Sequence, residues 1–546
     1  MSKSTPASVP KRIVICCDGT WQSSVSEEFS IPSNVTRLCR HLARSGKDES
    51  HKVWQQIVYY DSGVGTGSLR DVEKKRQGAT GDGLSVNVIE AYNFIVMNYN
   101  PGDEIFCFGF SRGAYTARAV AGLVTDIGVL EPRQMQIFPD LYHLYKQNTD
   151  SDKLFTESQV WLNFVEGKLG DEERKNPISG WRKEQLEDFK KEWRLQADRR
   201  EISRNVKVVG VWDTVGSLGI PDLRWTSFSG NRARYAFHNV KLNEYIEHAF
   251  QALALDERRQ AFQPTLWYLP KPSGKPKKAK KPSELLQVWF PGVHINIGGG
   301  SDDLLNKAEG DHEQMAYITW AWMLQCVSPY LAFDEHGIEE TMKEHAKLLD
   351  QIAKCSDHHS PKGWVETAWS YVPSVPFLGS VTKHEHKVDR GWGTGNFVDS
   401  FSGIMAWTNP VVRKPGECST EKLKIDESGN RSFDTIPLAK LDDFGTTNEQ
   451  IHPVAAFRKE RYDNTLKGDL CCHGLKGWKR EEEREDGRVI RYKWYKVEGK
   501  KRIELPEYLI AKSNRRTNYE RLMMAVDGNS VEEEEFLDKI DKAVGH

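Results

Sequence analysis

Gly109-Phe110-Ser111-Arg112-Gly113 sets a hydroxyl between two residues without side chains, and it is the only complete G-x-S-x-G in the chain. The apolar run Glu104-Ile105-Phe106-Cys107-Phe108 precedes it and the small residues Gly113-Ala114-Tyr115-Thr116-Ala117 follow. That order reads as strand, tight turn, helix, the context of a nucleophile elbow. The turn crowds its neighbours, and glycine on either side removes the clash. The serine then projects at a helix N-terminus, where free N–H groups favour developing negative charge. The alternative is an ordinary strand–helix turn.

A serine nucleophile needs a base, and the base needs an orienting carboxylate. With an elbow of this kind the chain order is Ser, acid, His. Asp213 ends the apolar run Val206–Trp212, and His294 follows Leu285–Phe290 in Pro291-Gly292-Val293-His294. The competing readings are a turn aspartate and a buried, hydrogen-bonded histidine. Rival bases are His248, within the helix expected over Leu242–Leu255, and His452 in Ile451-His452-Pro453; rival acids are Asp18 and Asp302. For an oxyanion hole, one backbone N–H comes from Arg112 and a second from Gly19 or Thr20, after the first apolar run.

These residues need a scaffold that brings strand ends together. Five short apolar runs (12–17, 53–60, 104–108, 206–212 and 285–290) alternate with helical patterns at 83–98 and 112–124. Alternation of this kind gives an α/β fold, a mostly parallel sheet covered on both faces, with ligands outside the carboxyl ends of the strands. A charged helical insertion fills about 132–201. The α/β unit covers about 11–330, and an irregular C-terminal region, 331–546, packs on it. There Trp364 to Leu378 carries Trp369 and Phe377 among two prolines, which forbid a regular helix. These aromatics either form a satellite core under a long loop or an apolar substrate-access lid that contacts a membrane peripherally.

Composition narrows the classes. Among 546 residues the 76 basic and 78 acidic side chains nearly cancel, so no basic excess points to nucleic acid. Hydrophobic residues at 38% exclude a wholly disordered chain. No apolar run reaches membrane-spanning length and the first ten residues lack a signal core, so a cytoplasmic protein is expected. Nine cysteines, two pairs of them adjacent, suit no disulfide framework. The basic stretch 271–281 reads as a solvated loop. Gly63-Val64-Gly65-Thr66-Gly67 lacks a full dinucleotide fingerprint. Neither His384-Glu385-His386 nor Asp357-His358-His359 has the spacing of a helical zinc site. No cofactor or metal is expected.

Cys17-Asp18-Gly19-Thr20-Trp21, Ser33 to Leu38, Tyr60 to Thr66, Gly109 to Arg118, Gly210 to Gly216, His248 to Phe262 and Trp289 to His294 occur together and in order. The set resembles the α/β-hydrolase domain of bacterial type VI secretion phospholipase effectors (Tle-type lipases) and related uncharacterised fungal domains. The resemblance covers about 12–330. It implies a serine ester hydrolase with Ser111, Asp213 and His294 as triad, acting on lipid or phospholipid acyl esters. A soluble short-chain esterase, a thioesterase and a catalytically silent interaction module are the alternatives. One departure stands out: relatives commonly continue after the histidine with Ser-Asp-Val-Gly-Gly-Gly, where this chain has Ile295-Asn296-Ile297-Gly298-Gly299-Gly300 and so lacks a carboxylate at 296.

Overall fold

The apolar runs pair into one eight-stranded sheet. Its strands are β1 (Lys11–Cys17), β2 (Ser45–Lys47), β3 (Val53–Asp61), β4 (Glu104–Phe110), β5 (Val206–Trp212), β6 (Ile246–Ala254), β7 (Glu284–Phe290) and β8 (Glu449–Ile451). Their order is β8-β7-β6-β5-β4-β1-β3-β2. Every pairing is parallel except that of β2 with β3. The structure, a computed structural model, describes residues 9–19, 31–63, 82–147, 155–166, 183–215, 240–271, 282–301, 310–357, 391–397, 410–425, 431–462, 472–486, 488–511, 518–527, 535–536 and 538–541.

Central parallel strands are buried on both faces and so are apolar nearly throughout. Period-two alternation splits their side chains between two cores. Phe106, Phe108, Phe110, Val208 and Trp212 face the core formed with helix Gln314–Val327, whose Trp320 and Trp322 are fully buried. Ile105, Cys107, Val209 and Val211 face the other, beneath helices Asp82–Asn98 and Arg112–Ile127. The architecture is thus an α/β-hydrolase-like sheet flanked by helices. Between helix Arg112–Ile127 and β5 lie the helices Phe138–Gln147, Gln159–Glu166, Lys183–Leu195 and Ala197–Ser203.

One expected element is corrected. Leu242–Leu255 contains no helix; Ile246–Ala254 is the strand β6, hydrogen-bonded on both sides. The segment Ile246-Glu-His-Ala-Phe-Gln-Ala-Leu-Ala254 is rich in helix formers. Pairing between two completed neighbours overrides that preference, and small alanines fit a site closed above and below. Its two buried polar residues are both satisfied, His248 by Glu284 and Gln251 by Thr214 and Gln287.

The register sets what meets at the carboxyl edge. Phe110 pairs with Trp212, Trp212 with Ala252, and Ala254 with Phe290. The residues just past β4 and β5 are therefore neighbours, and the loop leaving β7 has only the end of β6 to cross. The sheet also continues beyond residue 330, since β8 pairs in parallel with β7.

Candidate active site

Ser111 follows β4 directly and caps helix Arg112–Ile127. Its backbone has φ 58° and ψ −122°, a conformation a non-glycine residue seldom adopts. Such strain persists only where the surroundings impose it, and the flanking glycines show how tight the turn is. A Cβ at Gly109 would lie 2.4 Å from the carbonyl oxygen of Gly113, and one at Gly113 would lie 2.2 Å from that of Cys17. A larger residue at Gly109 would push the helix start away from its strand, and one at Gly113 would push the elbow off β1.

His294 opens a short helix, His294–Gly298, just beyond β7. Its Nε2 lies 2.8 Å from Ser111 Oγ, and its Nδ1 lies 2.6 Å from Asp213 Oδ2. Phe110 and Phe262 hold the ring from two sides, with centroids at 4.8 and 4.9 Å. Asp213, immediately after β5, is also in a positive-φ conformation, at 42°. Ser111 and His294 keep 8% and 5% of their exposure while Asp213 keeps none. Nucleophile and base thus retain a little exposure, and the acid has none.

Burial pushes the Asp213 carboxyl up, but the Arg413 charge and the bonds to His294 and Arg413 outweigh it and hold the group well below the usual carboxylate range. Burial lowers His294 below its ordinary value despite the Asp213 bond, so the ring favours its neutral form. A neutral imidazole facing a hydroxyl, backed by an ionised carboxylate, can take that hydroxyl's proton.

The model of the catalytic domain of the T6SS Tle1-like phospholipase effectors matches residues 11–326. The chain belongs to this family. An uncharacterized protein of Saccharomyces cerevisiae is 25% identical over 284 residues, covering 50% of this chain. The chain spans about a third of that curated relative's length, 35%. Two solved structures are similar at low overall superposition. One is the Tle1 effector bound to the VgrG spike of the type 6 secretion system, with 18% identity over 55% of this chain and 52% of that one and a TM-score of 0.26. The other is an uncharacterized protein from Pseudomonas aeruginosa, with 15% identity over 58% of this chain and 45% of that one and a TM-score of 0.27.

In this Tle1-like chain the rival groups lie elsewhere. His248 sits low on β6, where Nδ1 bonds Glu284 Oε2 at 2.7 Å, at the start of β7 and not at its end. His452 bonds Glu520 at 3.0 Å through Nε2 and accepts the Val454 N–H through Nδ1. Asp18 accepts from Ser33 Oγ at 2.6 Å, Thr36 Oγ1 at 2.8 Å and Tyr60 OH at 2.8 Å. Two sequence motifs, Ser33 to Leu38 and Tyr60 to Thr66, thus converge on the buried carboxylate of a third, whose own backbone lies against the elbow at Gly113. Asp302, Thr20, Trp369 and Phe377 lie outside the described residues, as do positions 272–281, 64–67 and 384–386.

For the oxyanion donors, Arg112 is the first helical residue, where backbone N–H groups point out of the helix end. The Gly19 N–H, at the end of β1, donates to the Asp18 side chain at 2.7 Å. Asn296 serves the turn and does not touch the serine: its Oδ1 accepts the Val293 N–H at 3.0 Å, which secures the start of the helix carrying His294.

Two contributors escape sequence reasoning. Glu257 is fully buried, accepts the His294 N–H at 3.2 Å and pairs with Arg259, whose guanidinium lies over the Phe262 ring. Burial raises its carboxyl, and the Arg259 bond and charge pull it down to about 2. The run Asp256-Glu257-Arg258-Arg259 at the end of a strand is a signal that could have found it, once Ile246–Ala254 is read as that strand. Arg413 is the other. It donates to Asp213 Oδ1 at 2.6 Å and Oδ2 at 2.9 Å from 200 residues away. No local pattern marks it.

No helix among the described residues is long and apolar enough to cross a membrane.

Proposed function

We propose that this chain is a serine hydrolase cleaving carboxylic esters of lipids or phospholipids through an acyl-enzyme. The observation that carries the reading is the continuous contact from Ser111 Oγ through His294 to Asp213, with the serine on a strained elbow. Membership of a phospholipase effector family supports the lipid ester as substrate.

In this reading Ser111 Oγ attacks the ester carbonyl while His294 Nε2 takes its proton. Asp213 holds the Nδ1–H tautomer and balances the imidazolium that forms. The Arg112 N–H stabilises the oxyanion. Collapse breaks the bond to the alkoxy oxygen, which receives the proton from His294 as the alcohol departs. Water repeats the sequence on the acyl-enzyme, with His294 again as base, and releases the carboxylic acid.

The test is a substrate panel on the purified full chain: p-nitrophenyl esters of two to sixteen carbons beside phosphatidylcholine and phosphatidylglycerol vesicles, followed by release of fatty acid. The reading predicts release from vesicles and a preference for long chains. Turnover confined to acetate and butyrate would replace the lipid substrate with a small soluble ester. No turnover on any ester would overturn the hydrolase reading.

A further inference from the structure

Asp213 is enclosed by donors. Arg413 Nη1 reaches Oδ1 at 2.6 Å and Nη2 reaches Oδ2 at 2.9 Å, while the Ala254 N–H bonds Oδ1 at 3.0 Å. The fourth partner, His294 Nδ1, is at Oδ2. A carboxylate offers about four acceptor sites, and three are filled by groups that can only donate. The one position left for a proton lies between Oδ2 and His294 Nδ1, and the Arg413 charge beside the carboxylate keeps that proton on the ring nitrogen. The other ring nitrogen is thereby left as the acceptor that faces Ser111.

Arg413 is itself fully buried, and its remaining contacts are to the carbonyls of Ala254 and Phe262. It therefore joins the end of β6, the acid, and the loop that presses Phe262 on the His294 ring. Its own segment is tied to the same region. The Val411 N–H bonds the Arg258 carbonyl at 2.9 Å, and the Gly416 N–H bonds Glu449 Oε1, which also accepts from Trp289 Nε1 of β7. Val411, Arg413, Gly416 and Glu449 all lie beyond residue 326, where the match to the family's catalytic domain ends.

We propose that Arg413 is a positioning residue for hydrolysis: its two-pronged contact fixes the Asp213 carboxylate toward His294, so that the reaction depends on a segment outside the matched catalytic domain. The proposal deepens the hydrolase reading and rests on it. A neutral packing residue would fill the same space without this effect. A guanidinium matches both carboxylate oxygens at once, which a lysine ammonium cannot do.

The pH dependence follows in sign. The charged groups facing His294 are Asp213, Glu257 and Arg259, with Arg413 acting through Asp213. Removing the Arg413 cation lets the buried carboxylate hold a proton more readily. It also removes a positive charge that opposes the imidazolium. Both changes raise the pH below which the coupled pair ceases to act as a base.

The test compares full-length wild type, Arg413→Met and Arg413→Lys, each first checked by near-ultraviolet circular dichroism. Turnover of p-nitrophenyl butyrate is measured from pH 5 to 9, and the downfield Nδ1 proton resonance of His294 is recorded by NMR. Arg413→Met should lower kcat roughly 10²-fold, the scale on which groups that orient a reacting residue act. KM should stay within about threefold, because Arg413 lies behind the acid and has no surface to offer substrate. The acid limb should move up by about one pH unit, and the downfield resonance should be lost. Arg413→Lys should keep the limb near its wild-type position yet lose about tenfold in kcat, since one cation remains without the second prong. Should the methionine variant not fold, the lysine variant decides by that loss against wild-type turnover. A folded methionine variant with unaltered limb and resonance would overturn the proposal, whatever its kcat, and so would a lysine variant equal to wild type. Wild type inactive on every ester would instead defeat the hydrolase reading, and the resonance comparison would still decide whether Arg413 orders the His–Asp pair.

Discussion

His294 and His452 are both buried, both bonded to a carboxylate, and both packed against phenylalanine rings. Their surroundings separate them. His294 stands at the carboxyl edge of the central strands with a serine hydroxyl at 2.8 Å on its second nitrogen. His452 follows the edge strand β8 and gives that second nitrogen to the Val454 backbone; its carboxylate, Glu520, accepts a further bond from Tyr508 at 2.9 Å. A buried histidine–carboxylate pair is therefore no sign of catalysis by itself. It becomes one where a nucleophile is forced into place by a strained turn and where substrate can reach it.

The contrast yields graded predictions. The largest effect belongs to Ser111→Ala, which removes the group that only the first cluster has. Ester turnover should fall by about 10⁶-fold while the melting temperature stays within a few degrees, as one buried hydroxyl is lost. Turnover within tenfold of wild type would erase the distinction between the clusters.

Asp213→Asn should cost about 10⁴-fold. An amide in that place can present its N–H₂ to the imidazole and stabilise the wrong tautomer. Steady-state kinetics on a soluble ester would measure it, and a loss under tenfold would show that the carboxylate is not needed.

A smaller effect appears in the pH profile of the unaltered enzyme. Burial holds His294 below the ordinary 6.5, and the proposed mechanism uses the neutral ring. Neutral imidazole then persists to lower pH, so the acid limb of kcat/KM should lie below 6.5. A limb above pH 7 would contradict this.

Least of all should change at the second cluster. Glu520→Ala leaves His452 and Tyr508 without their shared acceptor, which should lower stability by about 1–3 kcal/mol, read as a drop in denaturation midpoint. Turnover per folded molecule should remain within about twofold. A thousandfold loss there would mean that His452 takes part in the chemistry.

Most of the first cluster is legible from sequence because its members stand at strand ends. The elbow at Ser111 announces itself through glycine spacing, and Asp213 and His294 each follow an apolar run. Legibility fails where tertiary pairing overrides local preference. The residues 246–254 look helical because alanine, leucine and glutamate favour helices, and only the strands on either side make them β6. With β6 unread, Glu257 at its end has no edge to belong to. Arg413 fails for another reason: its meaning lies entirely in a contact 200 residues away, and no spacing rule reaches that far. Gly19 shows a third kind of detail: its place at the end of β1 is legible, whereas the bond from its N–H to the neighbouring Asp18 side chain is not.

The central claim is that Ser111 is an activated nucleophile, and covalent capture tests it most directly. The native full-length protein is treated with a fluorophosphonate, digested, and mapped by mass spectrometry. The account predicts one phosphonylated serine, Ser111, with labelling abolished in Ser111→Ala and in protein unfolded beforehand. An adduct on another residue, or no adduct on folded protein that hydrolyses esters, would contradict it.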